Sequence, residues 1–305
     1  MNKLIIAGGT GFLGKILLKH FKNKFNHIII LSRTKSCQTS NVNYIKWNGK
    51  TTGNWVNHIE GAEILINLSG KSVDCRYNKK NKEQILSSRL DSTNILNKVI
   101  SKMNKPPKLW INASTATIYR HSINKQMDEY SGEIGSDFSM DVAKFWEHAF
   151  FTPSIAKTRK VAIRTAIVLG KKGGALIPIK KIAQFGLGGR QGKGEQFISW
   201  IHEEDFVNAV EFIITNSKIN GVINIVSPEP VKNYIFMKQI RKQLNIPFGV
   251  PLSKFFLKIG AFIIKTETEL ILKSRNVIPG KLEEEGFNYK YSSIDRALEH
   301  LLKKD

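Results

Sequence analysis

An α/β fold built on a doubly wound parallel sheet is predicted by three observations. Short apolar runs alternate with stretches of helical periodicity, a glycine-rich turn joins the first run to the first helix, and the alternation persists to about residue 168. The first run, Leu4 to Ala7, reads as a strand. Lys15 to Phe25 then carries Ile16, Leu17, Leu18 and Phe21 at helical spacing. Ile28 to Leu31 is a second strand and Tyr44 to Trp47 a candidate outer one. Ile64 to Leu68 follows as a buried strand, Ser87 to Met103 as a long helix with Leu90, Ile95, Leu96 and Ile100 on one face, and Leu109 to Ala113 as a strand. Phe138 to Phe150 is helical, and Val161 to Ile163 returns to strand.

The character changes after that point. Residues 170–198 are dense in glycine, from Gly170, Gly173 and Gly174 through Gly186, Gly188, Gly189, Gly192 and Gly194, which favours loops and close backbone approach. A helix at Glu203 to Thr215 and a strand at Gly221 to Val226 look like a return to the sheet, and Pro228 and Pro230 mark the exit. The expected organisation is a nucleotide-binding domain over 1–168, rejoined by 200–227, with 169–199 and 228–305 forming a smaller mixed C-terminal lobe. Phe255 to Ile264 is broken by Lys258 and falls short of the roughly 20 apolar residues of a membrane span, so a buried or amphipathic helix is expected there.

The chain has 47 Lys and Arg against 25 Asp and Glu, a net charge of +22. Clustered cations favour nucleic acid or an anionic membrane through counterion release. Here they are singles and doublets such as Lys79-Lys80 and Lys303-Lys304, spread from end to end with no basic arm. Codon bias towards Ile, Asn and Lys is a sufficient cause, and neither nucleic acid nor membrane is expected as a partner. The two cysteines, Cys37 and Cys75, lack C-x-x-C spacing, so a reducing cytoplasm fits and a metal site does not. The apolar run after Met1-Asn2-Lys3 is too short for a signal peptide core.

Gly8-Gly9-Thr10-Gly11-Phe12-Leu13-Gly14 is a G-x-x-G-x-x-G between the first strand and the first helix. In that context Gly8 permits the tight turn, Gly11 lets the backbone approach a pyrophosphate, and Gly14 lets helix pack on strand. The helix N-terminus, with Thr10, Phe12 and Leu13 around it, then faces the phosphates. At the end of the second strand, where a carboxylate would read an unphosphorylated ribose, the chain has Ser32-Arg33-Thr34-Lys35. Arg33, supported by Ser32 and Lys35, suits a 2′-phosphate, so NADP is expected in preference to NAD.

This pattern resembles the extended and atypical short-chain dehydrogenase/reductase superfamily, and within it the YfcH-like epimerase family with a C-terminal domain of unknown function. The similarity is carried by Ile66-Asn67-Leu68-Ser69-Gly70, Ser88-Arg89-Leu90-Asp91-Ser92-Thr93, Arg164-Thr165 with Val168-Leu169-Gly170, Gly186-Leu187-Gly188-Gly189, Ser199-Trp200-Ile201-His202 with Asp205, Pro228-Glu229-Pro230, Val277-Ile278-Pro279 and Leu282-Glu283-Glu284-Glu285-Gly286-Phe287. It implies a Rossmann-type fold over nearly the whole chain. It also implies cofactor contacts at Asn67, Leu68, Ser69, Gly70, Arg89, Ser114 and Thr165.

Superfamily chemistry needs a tyrosine acid/base, a lysine four residues later and a hydroxyl that orients the substrate oxygen. Ala113-Ser114-Thr115-Ala116-Thr117-Ile118-Tyr119 resembles the hydroxyl segment and places Thr115 at that position, with Ser114 as a neighbouring alternative. At the superfamily's spacing, 25 positions on, stands Met140-Asp141-Val142-Ala143-Lys144: the lysine is present and methionine replaces the tyrosine. A thioether cannot move this proton. Tyr119, Tyr130, Tyr77 and His202 have the chemistry to replace it, and Tyr119 is favoured because it shares a loop with Thr115. Lys144 is either the residue that holds the ribose or an ordinary exposed lysine, on a helix whose Phe145 and Trp146 are expected to pack inward. His202 reads as a structural hydrogen-bonder or pocket wall and Asp205 as a cap. Arg190, Lys193, Gln196 and Trp200 are candidate walls of the substrate pocket. The expected function is an NADP(H)-dependent oxidoreductase or nucleotide-sugar epimerase-like enzyme, as monomer or homodimer, acting on a small carbonyl or alcohol for which a basic pocket would suit an anion. The alternative is a catalytically inactive NADP(H)-binding sensor.

Overall fold

The computed structural model describes residues 2–34, 37–263 and 267–303. The first half comprises β1 (Lys3–Ala7), α1 (Phe12–Phe21), β2 (His27–Ser32), β3 (Cys37–Thr39), β4 (Val42–Lys46), α2 (Val56–Ile59), β5 (Ile64–Asn67), α3 (Lys79–Ile100), β6 (Leu109–Thr115), α4 (Phe138–Phe151) and β7 (Arg159–Thr165). There follow β8 (Ile167–Leu169), α5 (Leu176–Ile182), β9 (Phe197–Ile198), β10 (Trp200–His202), α6 (Glu203–Thr215), β11 (Gly221–Ile225), β12 (Val231–Lys232) and α7 (Asn233–Gln243). The chain closes with α8 (Lys254–Ile263), α9 (Glu269–Leu272), α10 (Gly280–Glu284) and α11 (Ile294–Leu302).

Eight strands form one sheet in the order β11-β7-β6-β5-β1-β2-β4-β3. All neighbours are parallel except β3 and β4, an antiparallel edge pair. The sequence did not signal β3, because its three residues are all exposed and have no apolar face. From β1 the chain winds outward through β2 to β4, then returns to β5 on the other side. The carboxyl ends of β1 and β5 therefore border a topological switch point, where open α/β sheets bind ligands.

Alternation along β1 sorts its side chains onto two cores. Leu4 and Ile6 pack with Leu17 and Phe21 of α1 and Phe206, Val210 and Ile213 of α6. Ile5 and Ala7 face Ile95, Leu96 and Val99 of α3 and Phe150 of α4. Each large aliphatic side chain buried there contributes about 1.5–3 kcal/mol. Helices thus cover both faces, as a parallel sheet requires.

Two helices start earlier than their apolar periodicity indicates. α1 opens at Phe12, directly after Gly11. α3 opens at Lys79, where the Asn78 side chain accepts from Asn81 N at 2.8 Å. Its first turns, Lys79 to Gln84, are entirely polar, so the cap alone marked them.

Two small sheets, β8 with β10 and β9 with β12, carry the glycine-rich segment. A third core of Trp200, Phe236, Met237, Ile240, Leu298 and Leu301 joins β10, α7 and α11. In α8, Leu257 is buried while Phe255 and Phe256 are exposed; the end expected for this helix, Ile264, lies outside the described residues. Among the described residues no helix is long and apolar enough to cross a membrane.

Candidate functional site

The turn between β1 and α1 sits at the switch point, and its three motif glycines answer to different constraints. Gly8 has φ +75°, and a Cβ there would stand 3.0 Å from the Leu68 and Ser69 backbone. Gly14 is tighter still, since a Cβ would fall 2.4 Å from Gly9 Cα. Gly11 differs: it is extended, with φ −75° and ψ 179°. A Cβ on it would meet only the Gly8 carbonyl oxygen, at 3.9 Å. Neither backbone conformation nor packing requires glycine at that position. What the missing side chain leaves is open space at the N-terminus of α1, whose first turn has no side-chain cap and contains no acidic residue. A dinucleotide's pyrophosphate fits that cradle.

Phe12 takes a different role from the one expected. Its ring fills a cage of Gly170, Gly173 and Gly174, where Cβ atoms would approach it to 2.4 Å, 2.4 Å and 3.0 Å. Those glycines answer to a phenyl ring, and only the backbone of Phe12 remains available to a ligand. Leu13 packs on the core. Thr10 is exposed at the top of the turn.

Arg33 is exposed at the end of β2 and lines a cavity of about 350 Å³ with Lys46, Trp47, Asn48, Trp55 and the intervening loop. The two indole rings pack 5.0 Å apart, and Trp55 Nε1 donates to Thr51 O at 3.0 Å. Sequence reasoning missed Lys46 and the tryptophans; the sign was a Lys-Trp-Asn-Gly run at a strand end. Ser32 is buried beneath Arg33. Lys35 lies outside the described residues.

At the end of β5, Asn67 is consumed internally. Its Nδ2 donates to Asn112 Oδ1 at 2.8 Å and its Oδ1 accepts from Ser69 N at 3.1 Å. It shapes the turn, leaving the half-buried Ser69 and exposed Gly70 to face the crevice, with Leu68 packed on the core. Arg89 of α3 lies beside Gly70, its Cζ 3.2 Å from where a Cβ on that glycine would stand. It donates Nη1 to Lys71 O and Ile85 O at 3.0 and 2.9 Å, and burial lowers its pKa to about 10.

The hydroxyl segment at the end of β6 separates into distinct roles. Thr115 Oγ1 accepts from Thr117 N at 3.1 Å, which starts the short 3-10 turn and leaves the hydroxyl proton to donate. Ser114 donates at 2.5 Å to Glu147, whose carboxylate is held by Arg164 Nε and Nη2 at 2.8 and 2.7 Å. Ser114 is therefore a support of the strand end, and its proton is already engaged. Burial opposes the Arg164 charge, but Glu147 outweighs it and the guanidinium pKa is raised. Thr165, part-buried, donates weakly to Ile163 O at 3.4 Å.

Tyr119 does not fill the expected acid/base role. It is 1% exposed; its hydroxyl accepts from Arg164 Nη1 at 2.8 Å and donates to Asn224 Oδ1 at 3.0 Å. Burial raises its pKa, against the opposing pull of Arg164. This phenol closes a core network that runs on through Asn224 N to Glu129 Oε1 at 2.7 Å. Met140 is buried, with its sulfur against Gly135. Lys144 is half-exposed and ion-paired with Asp141 at 2.7 Å, so it must leave that partner to reach a ribose. Trp146 packs inward, whereas Phe145 is exposed.

The remaining candidates sort by burial. Gln196 and Trp200 are interior: Gln196 Nε2 donates to Gln191 O at 2.9 Å and Trp200 Nε1 to Glu229 O at 2.9 Å. Both are buried and bonded to backbone carbonyls, while Arg190 and Lys193 are exposed. His202 caps α6 by accepting from Glu204 N at 3.0 Å, stacks on Tyr291 at 3.8 Å, and is lowered by burial to a pKa of about 3. Asp205 caps nothing in its own helix; it accepts from Lys290 N and Tyr291 N at 2.8 and 2.9 Å and so fastens the C-terminal segment.

Comparison with known proteins identifies the family and the fold. The NAD dependent epimerase/dehydratase family matches residues 4–226, and a domain of unknown function, DUF1731, matches residues 252–301. The chain is 33% identical over 307 residues to the epimerase family protein YfhF of Bacillus subtilis, covering 98% of this chain and 97% of that one. It is 29% identical to the epimerase family protein SAR0825 of Staphylococcus aureus across the full length of both. Among solved structures, human epimerase family protein SDR39U1 with NADPH superposes with a TM-score of 0.87 at 26% identity, covering 98% of this chain and 99% of that one. The nucleoside-diphosphate sugar epimerase of Corynebacterium glutamicum superposes with a TM-score of 0.79 at 26% identity, covering 98% of this chain and 58% of that one. With the glycine turn, the sheet order and both matched segments in agreement, this chain belongs to the NAD dependent epimerase/dehydratase family.

Proposed function

We propose that the chain is an NADP(H)-dependent, epimerase-like oxidoreductase acting on a small carbonyl or alcohol. The observation that carries this reading is Gly11, a glycine that neither the backbone nor the packing demands, at the helix end where a pyrophosphate would lie. Gly8, Thr10, Gly14 and the α1 amides would hold the pyrophosphate. Ser69 and Gly70 would flank the ribose, with Arg89 and Thr165 at the nicotinamide end. Arg33 and Lys46 would pair with a 2′-phosphate over the tryptophan-lined cavity. NADPH bound in the human relative supports this choice over NAD. A bound nicotinamide would supply or accept hydride. The task of the protein is then to orient the substrate oxygen, for which Thr115 retains a donor proton, and to exclude water.

A second reading, a dinucleotide-binding sensor without turnover, is favoured by one arrangement. Tyr119 is locked in the core and Lys144 is paired with Asp141. Following NADPH absorbance across a panel of ketones, aldehydes and nucleotide sugars separates the two. Oxidation with any of them is expected for the enzyme. Tight binding with no oxidation across the panel establishes the sensor.

A further inference from the structure

The cations are scattered along the whole chain, which speaks against a membrane partner, but the carboxylates are not. None of the 25 Asp and Glu residues falls within 148–194 or 230–266, although Lys and Arg recur through both stretches. Three of the four acids that bound these stretches are already ion-paired, Glu147 with Arg164, Glu195 with Lys232 and Glu267 with Arg76.

Folding sets parts of the two stretches side by side. Val250 N donates to Gly186 O at 2.8 Å and Gly189 N to Val250 O at 3.2 Å, while Leu252 N donates to Arg190 O at 2.9 Å and Gly192 N to Leu252 O at 2.8 Å. One backbone ladder thus joins residues 185–192 to residues 248–252, and α8 follows directly. Here large apolar side chains are left in solvent. Phe185, Phe248, Phe255 and Phe256 are 82%, 68%, 67% and 61% exposed, and Leu187 and Val250 are exposed as well. Among the described residues only one other phenylalanine, Phe145, is exposed. Single exposed apolar side chains are ordinary, but a concentration of them with a polar rim marks an interaction surface.

The helix shows what kind of surface it is. At about 100° per residue, Lys254, Lys258, Phe255 and Phe256 span about 200° of the circumference of α8, and the buried Leu257 faces the protein. Lys181, Arg190 and Lys193 are exposed along the neighbouring segment. None of these five cations makes an ion pair among the described residues. Phenyl rings beside unpaired lysines on an amphipathic helix suit the boundary between lipid headgroups and acyl chains.

We infer that α8, with residues 185–187 and 248–250, forms a surface that docks on an anionic lipid bilayer, its rings entering the headgroup boundary and its cations pairing with the lipid anions. Charge decides between the occupants. A second copy of the chain seated on the same face would oppose two carboxylate-free basic surfaces, whereas anionic lipid neutralises one. Single-stranded nucleic acid would match the cations and stack on the rings, but it offers no partner to the aliphatic Leu187 and Val250. No described helix is long and apolar enough to cross a membrane, so the contact is peripheral. The surface owes nothing to the dinucleotide reading.

The test is co-sedimentation of the protein with vesicles of phosphatidylcholine alone and of phosphatidylcholine mixed equally with phosphatidylserine. Saturable binding to the mixed vesicles is expected, with little to the neutral ones and a loss of affinity as salt is raised. The double substitution Phe255→Ser and Phe256→Ser should weaken it about tenfold or more, because two rings no longer leave water. Phe185→Ser, on the other segment, should weaken it independently. All three side chains are exposed, so both variants should melt with wild type, which separates lost docking from lost folding. Absence of saturable binding to the mixed vesicles overturns the proposal, as does equal binding to both kinds of vesicle. Binding that neither variant changes also overturns it, by reducing the contact to charge alone. A dimer dissolved by the double substitution, or an oligonucleotide bound through the same rings, in a protein that leaves the vesicles unbound gives the surface to another occupant and overturns it too.

Discussion

Single residues at this site divide by whether their hydrogen-bonding capacity is already spent. Asn67, Ser114 and Tyr119 all satisfy their polar groups inside the protein, and no sequence motif reveals that. Their types and positions suit chemistry, but the Asn112, Glu147, Arg164 and Asn224 side chains that engage them come from distant parts of the chain. Thr115 and Arg33 keep donors available. Replacing Arg33 by Glu should therefore weaken NADPH by about ten- to a hundredfold, the worth of a charge-assisted bond, with a much smaller effect on NADH. Paired fluorescence titrations check this; an equal loss for both nucleotides would remove Arg33 from the phosphate site.

At the scale of elements, the β1–turn–α1 unit was legible in sequence because the constraints that shape the turn itself are local. Gly8 needs its positive φ and Gly14 its contact with Gly9, and both lie within the motif. The extent of α3 was less legible, since its first turns have no apolar residue and only Asn78 announces them. The glycines of residues 170–174 were readable as a close approach, but the partner, Phe12, is over 150 positions away in sequence. The turn allows a paired experiment. Gly14→Ala should cost about 1–3 kcal/mol by driving a methyl group into the Gly9 backbone. Gly11→Ala should lower the melting temperature by no more than a few degrees, the cost of alanine at a helix N-cap, since the new methyl meets open space, yet should reduce NADP(H) affinity. A fully bound cofactor with Gly11→Ala would show that the space is not the pyrophosphate cradle.

Across the whole molecule, the sheet domain and C-terminal segment are held together partly by His202 and Asp205, through Tyr291, Lys290 and His300. The imidazole is buried neutral, with a pKa of about 3 against about 6.5 in an unfolded chain. As pH falls the unfolded state takes up this proton first. The stability it confers is complete above about pH 6.5 and is lost progressively towards pH 3, a matter of a few kcal/mol. Melting temperatures of wild type and His202→Asn across that window should differ in slope, the variant being flatter because Asn keeps the cap without the titration. Parallel slopes would mean that carboxylates alone govern the acid limb.

Net charge of +22 bears on none of these arrangements, whereas cofactor choice bears on nearly all of them. The most direct measurement is a titration of the purified protein with NADPH and with NADH, followed by nicotinamide fluorescence and by thermal stabilisation, since a ligand that binds only the folded chain must raise its melting temperature. Saturable binding with a clear preference for NADPH is the expected result. Binding of neither nucleotide would contradict it, and the crevice above Gly11 would then have to be explained without a dinucleotide.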